Sequence, residues 1–145
     1  LLKNVSEHYQ TKLFTFNQTP FLPECQNVGK VDYLNEMPQV FRHSKINLNI
    51  TLRSIYSGIP LRAFDIMGSG GFLLSNYQED FLDYFTPGED FDYYDGVDDL
   101  LAKIDYYLSH EKERRQIAEN AAHKVLTEHT YENRIQFMLK TAGLR

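Results

Sequence analysis

The chain has 145 residues, 42% hydrophobic and 24% charged, a size and balance that predict one globular domain with a core of its own. Its net charge of −5 argues against a general binder of DNA or RNA backbones, although a small nucleotide needs only one or two local cations. A single cysteine, Cys25, rules out a disulfide framework and favours a reducing, cytoplasmic setting, while no apolar run reaches the ~18 residues of a membrane span.

In chain order, residues 1–10 predict a short helix and residues 12–16, Lys-Leu-Phe-Thr-Phe, a strand. Pro20 and Pro23 make 17–24 a loop. Residues 28–33 read as a second strand interrupted by Gly29, and 35–44 as a short helix with Pro38 in its first turn and Val40 and Phe41 turned inward. Ile46, Leu48 and Ile50 then alternate with Asn47 and Asn49, the period of a strand. Pro60 suits the start of a helix over 60–69, which Gly68, Gly70 and Gly71 close. Residues 71–75, Gly-Phe-Leu-Leu-Ser, are an apolar run fit for a strand buried on both faces. Another short helix is predicted over 78–85 from the spacing of Phe81, Leu82 and Phe85, followed by a Pro87-Gly88 turn and a strand over 91–94.

From Asp95, a candidate N-cap, the chain reads as wholly helical. Leu100, Leu101, Ile104 and Leu108 form one apolar stripe, and a helix over 111–128 turns Ile117, Ala121 and Val125 inward. Thr130 is placed to cap a last helix bearing Ile135, Met138 and Leu139. Strands alternating with helices predict an α/β, Rossmann-like domain over 1–145. It has a parallel sheet of about five strands flanked by helices and ends in a C-terminal helical run. The abrupt start at Leu1, inside a predicted helix with no secretory leader, fits a piece of a longer chain.

The polar residues concentrate where the 60–69 helix begins. Asn49, Thr51, Arg53, Ser54, Tyr56, Ser57 and Gly58 occupy the loop before it, and a strand leading through a loop into a helix N-terminus is where open α/β sheets bind phosphorylated ligands. Arg62 is out of place for folding alone, because a cation in the first turn opposes the helix dipole by about 0.3–1 kcal/mol. It becomes favourable when an anion such as a diphosphate sits between it and the free helix N–H groups. Asp65, one turn on and on the same face, supplies a carboxylate suited to the two hydroxyls of a ribose. The competing reading is a surface ion pair between Arg62 and Asp65, worth about 0–1 kcal/mol. Hydroxyls, backbone amides, one Arg and one carboxylate together describe a nucleotide-sugar site.

Other chemistries have weaker signatures. His8, His43, His110, His123 and His129 show no i, i+4 pairing and no neighbouring Cys, so no metal site is predicted. The acidic run over 89–95, continuing to Asp98 and Asp99, lacks the Gly and terminal Glu of a calcium loop and reads as a solvated sheet edge with a helix cap. No Walker loop is present, since the 68–71 glycines end a helix instead of opening one. Cys25 has no His-containing motif beside it and reads as a buried or loop thiol, and no Ser-His-Asp set is legible.

The segment Ser57-Gly-Ile-Pro-Leu-Arg-Ala-Phe-Asp65, followed by Ile-Met-Gly-Ser-Gly-Gly-Phe-Leu-Leu-Ser-Asn76, resembles the signature of GT-B glycosyltransferases. More narrowly it resembles the spore-maturation-type family of glycosyltransferase-like proteins. The Ser-Lys-Ile-Asn-Leu-Asn strand (44–49), the Ile-Ala-Glu-Asn helix (117–120) and the His-Thr-Tyr segment (129–131) extend the likeness from about residue 14 to 139.

The resemblance implies the donor-binding, C-terminal half of a bacterial, cytoplasmic glycosyltransferase, with a nucleoside diphosphate-sugar as donor substrate and no cofactor. By that likeness Arg62 is the catalytic residue that neutralises the departing diphosphate, and Asp65 holds the ribose. The loop with Asn49, Thr51, Arg53, Ser57 and Gly58 meets phosphates and sugar, while backbone near Gly29 and Val31 meets the base. GT-B retaining enzymes carry two glutamates eight positions apart here. The second position falls on Asp65, but the first falls on Ser57, which is not acidic. The implied partners are the donor, an unknown glycan or protein acceptor and an N-terminal domain of the same chain, with no nucleic acid. A nucleotide-sugar epimerase half and a non-catalytic interaction domain are the alternatives.

Overall fold

The computed structural model describes residues 1–52, 54–55 and 57–144. Its elements are α1 (Leu2–His8), β1 (Thr11–Leu13), β2 (Cys25–Asn27), α2 (Met37–His43), β3 (Asn47–Asn49), α3 (Leu61–Gly68), β4 (Leu73–Asn76), β5 (Asp92–Tyr94), α4 (Val97–Ser109), α5 (Glu111–Glu128) and α6 (Tyr131–Thr141), with a 3-10 turn at Glu79–Phe81 between β4 and β5. All strand pairings are parallel, as expected of strands separated by helices. The five described strands divide into two sheets, β1-β2 and β3-β4-β5.

That division corrects the predicted second strand. β2 lies at 25–27 and pairs Thr11 with Cys25 through Leu13 with Asn27. The 28–33 segment is a loop, because Gly29 turns the chain at φ +89°. Asp32 then ties it into a turn, its Oδ1 accepting from the amides of Leu34 and Asn35. The sequence hid β2 because Gln26 and Asn27 are exposed and carry no apolar alternation.

β4 is the centre of the larger sheet, and its side chains alternate between two cores. Phe72 and Leu74 join Val5, Tyr94, Leu100, Ile104, Tyr107 and Ile117 on one face. Leu73 joins Ala63, Ile66, Met67, Phe81, Phe85, Phe91, Ala121 and Val125 on the other. Both faces are thus covered, the condition for a parallel sheet. α5 serves both cores and turns Ile117, Ala121 and Val125 inward as predicted. In α4 the stripe runs through Leu100, Ile104 and Tyr107, while Leu108 is exposed. Gly96, not Asp95, is its N-cap residue.

β3 inverts the expected burial. Asn47 and Asn49 are the buried residues, whereas Ile50 is exposed. Asn47 Nδ2 donates to the carbonyls of Phe41 at 2.9 Å and Phe72 at 3.2 Å, tying α2 to the strand that follows α3. Gly71 makes this approach possible: a Cβ there would lie 2.7 Å from Asn47 Nδ2 and 2.8 Å from the Phe41 carbonyl oxygen.

Two further expectations change. The 78–85 helix is only the 3-10 turn and one following α-type bond, Phe85 N–H to the Phe81 carbonyl at 2.7 Å, and Pro87 stops any continuation. Within the acidic run Asp90 and Asp92 are buried rather than solvated. Lys124 Nζ reaches Asp90 at 2.8 Å and Lys103 Nζ reaches Asp92 at 2.9 Å, while Tyr107 donates its hydroxyl to Asp92 at 2.8 Å.

Candidate functional site

α3 opens the site. Its N-cap is Pro60, which has no side chain able to accept from the first turn, so the first amides lack a side-chain cap. Ala63, Ile66 and Met67 anchor the helix in the core, which leaves Arg62 exposed and Asp65 half-buried on the other side. The surface ion pair between them does not form: among the described residues Arg62 enters no ion pair within 4.0 Å. Asp65 is engaged elsewhere, its Oδ2 accepting from the Tyr33 hydroxyl at 2.6 Å.

Tyr33 belongs to the loop after β2, which also carries Gly29 and Val31. The fold therefore brings the predicted base-side loop to the predicted ribose-side carboxylate, although no described hydrogen bond joins Gly29 or Val31 to α3. Gly29 N–H bonds within its own loop, to Asn27 Oδ1 at 3.0 Å. Beside the Tyr33–Asp65 contact lies a hollow of about 190 Å³, lined by Tyr33, Asp65, Leu34, Met37, Phe41 and Ser69. A larger hollow of about 450 Å³ lies against the end of α6, and its lining of Gln136, Leu139, Lys140, Gly143 and Leu144 brings no carboxylate, whereas the smaller one holds Asp65.

The other predicted loop residues are organised from beneath. Asn49 is 2% exposed; its Nδ2 donates to Ser75 Oγ at 2.9 Å and Thr51 Oγ1 at 3.2 Å, and its carbonyl accepts from Tyr94 at 3.2 Å. Burial raises the Tyr94 phenol to about 12, so it remains the donor at any ordinary pH. Thr51 in turn donates its hydroxyl to Gln78 Oε1 at 3.2 Å and its amide to Asn76 Oδ1 at 2.7 Å. Asn49 and Thr51 thus hold the start of the loop against the residues after β4. Ser57 and Gly58 are exposed, Gly58 at φ +92°, and the Gly58 amide donates to Asp80 Oδ2 at 2.6 Å. Arg53 and Tyr56 lie outside the described residues.

Sequence reasoning missed Tyr33, Gln78 and Asp80. Gln78 is 3% exposed, a polar residue drawn into the core side of the loop, and nothing in local spacing distinguishes it. Among the described residues no three His, Cys, Asp or Glu side chains gather as they would around a metal ion, and no helix is long and apolar enough to cross a membrane.

This fold, with a Gly-closed helix between β3 and β4 and a long C-terminal helical run, is that of a GT-B C-terminal domain. The C-terminal domain of a glycosyl transferase group 1 family protein (LpcC) from Francisella tularensis superposes with a TM-score of 0.60 at 21% identity. The match covers 77% of this chain and 57% of that one, so the chain spans little more than half the length of that solved domain. No curated protein matches the chain significantly. The profile described as "Glycosyl transferase-like" matches residues 5–140, nearly the whole sequence. The chain belongs to the glycosyl transferase-like family.

Proposed function

We propose that this chain is the nucleotide-sugar-binding half of a bacterial, cytoplasmic glycosyltransferase of the spore-maturation type. In the full-length enzyme a second Rossmann-like domain of the same chain holds a glycan or protein acceptor. The donor's bond between sugar carbon and phosphate oxygen breaks, an acceptor hydroxyl oxygen takes the sugar, and that hydroxyl's proton passes to solvent. The diphosphate leaves with added negative charge, which Arg62 and the uncapped α3 amides stabilise at the moment it develops. Asp65 receives the ribose hydroxyls, the exposed 57–58 segment faces phosphates and sugar, and the loop with Gly29 and Val31 faces the base.

One observation carries this reading: Arg62 is an exposed cation in the uncapped first turn of α3, with no acidic partner within 4.0 Å among the described residues. Isothermal titration with UDP, GDP, ADP and CDP tests it. One or more should bind, and Arg62→Ala should weaken that binding by about 10- to 100-fold, the loss of a charge-assisted contact. Its far-UV circular dichroism should not change. Unchanged titration heats in the variant would sink the assignment. Ser57, where retaining relatives carry an acid, favours a second reading, a non-catalytic binding module. Binding of none of the four nucleotides, with or without a sugar attached, would support that reading instead.

A further inference from the structure

Two polar groups that the donor would engage are already engaged by the protein's own side chains. Tyr33 is 59% exposed, with solvent available as a partner, yet its hydroxyl sits 2.6 Å from Asp65 Oδ2. That hydrogen bond pushes the phenol above its ordinary range, so Tyr33 keeps its proton and remains the donor. At the loop, the Asp80 carboxylate takes the Gly58 amide at 2.6 Å. In chemical type both are stand-ins for a ligand. A hydroxyl lies on the carboxylate assigned to the ribose diol, and a carboxylate lies on an amide of the loop assigned to phosphate. Neither contact is needed to build the core, because the Tyr33 loop is folded by its own Asp32 turn and Gly58 is exposed.

We propose that Tyr33 and Asp80 are built-in competitors of the donor, which hold the contacts it needs and are displaced when a nucleoside diphosphate enters. This rests on the donor-site reading above. Asp80 must turn away because its charge opposes a diphosphate at the same amide. Tyr33 must release Asp65 before the ribose hydroxyls can bond there. The hollow beside them, walled by Leu34, Met37 and Phe41, is an apolar surface suited to a flat base whether or not Tyr33 holds Asp65. Donor affinity is then set by the difference between the ligand's contacts and these internal ones.

The test titrates the protein, Tyr33→Phe and Asp80→Asn with UDP, GDP, ADP and CDP, and with the 2′,3′-dideoxy form and the parent nucleoside of whichever binds. Tyr33→Phe should tighten the nucleoside diphosphate about five- to tenfold, the worth of one partly exposed hydrogen bond to a charged group. It should leave the dideoxy form unchanged, since that ligand does not compete for Asp65. Asp80→Asn should tighten the nucleoside diphosphate by a similar factor and leave the nucleoside unchanged. Binding that is equal or weaker in both variants overturns the inference while leaving the donor site standing. An equal gain for the dideoxy form also overturns it, since Tyr33 would then act by bulk alone. Binding by none of the three proteins overturns the donor-site reading and this inference together.

Discussion

At the scale of single residues, the side chains that shape the site act through neighbours distant in sequence. Asp65 meets Tyr33 across 32 positions, and Gly58 meets Asp80 across 22. Arg62 and Asp65 were legible because one helix turn fixes their spacing and because a first-turn cation is a local anomaly. Tyr33 and Asp80 were not, since only the folded loops bring them near. Among the glycines, Gly71 leaves the least room for a side chain. A methyl group there would crowd Asn47 Nδ2 and the carbonyl oxygens of Phe41 and Ile66 at 2.7, 2.8 and 3.1 Å. Two of these atoms belong to backbone and cannot move aside cheaply. Gly71→Ala should therefore cost about 1–3 kcal/mol of stability by urea denaturation, in the range of overpacked cores.

At the scale of elements, long amphipathic helices were read well and short irregular segments poorly. The 111–128 helix matches its predicted bounds, and its buried apolar residues, Ile117, Ala118, Ala121 and Val125, recur at helical spacing. Thr130 caps α6 as predicted, accepting from the Asn133 amide at 3.2 Å. The misplaced second strand and the 78–85 helix failed for the same reason: both segments are too short to have a period of their own, and Gly29 and Pro87 break them. The α5–α6 junction holds a consequence for pH. His129 lies within 5.1–5.6 Å, ring to ring, of Phe85, Phe64 and Tyr84, and its Nδ1 faces Arg134 Nη2 at 2.8 Å. Nδ1 is therefore the acceptor and Nε2 carries the proton, buried with no hydrogen-bond partner among the described residues.

Burial, followed by the charge of Arg134 on α6, holds His129 below its ordinary 6.5; Lys124 on α5 adds to this, while Glu128 on α5 and Asp90 before β5 oppose it. The folded protein then binds fewer protons than the unfolded chain in the window between the lowered value and 6.5. The contribution is complete above that window and declines as pH falls through it. Urea midpoints at about pH 7.5 and about pH 5 should show a smaller acid loss in His129→Phe than in the parent protein. Equal losses would remove His129 from the account.

At the scale of the whole molecule, the fold class was legible because alternating strands and helices leave few topologies, whereas the split into two sheets was not, since β2 carries no apolar alternation to mark its place or its partner. The core is uneven. Two clusters meet at β4 and α5, whereas α6 buries no residue and leaves Tyr131, Ile135, Phe137 and Met138 more than half exposed. With few tertiary contacts to lose on opening, α6 amides should exchange with deuterium well ahead of those in the buried middle of α5. Exchange by mass spectrometry checks this, and equal protection of the two helices would contradict it.

The central claim is that the start of α3, together with the loop after β2, receives a nucleoside diphosphate. Backbone amide NMR of the protein titrated with UDP, GDP, ADP and CDP tests it most directly. The account predicts that at least one of them shifts the amides of Gly58, Leu61, Arg62 and Asp65 together with those of Gly29, Val31 and Tyr33, in one saturable process. Shifts confined to other surfaces, or none with any of the four, would contradict it.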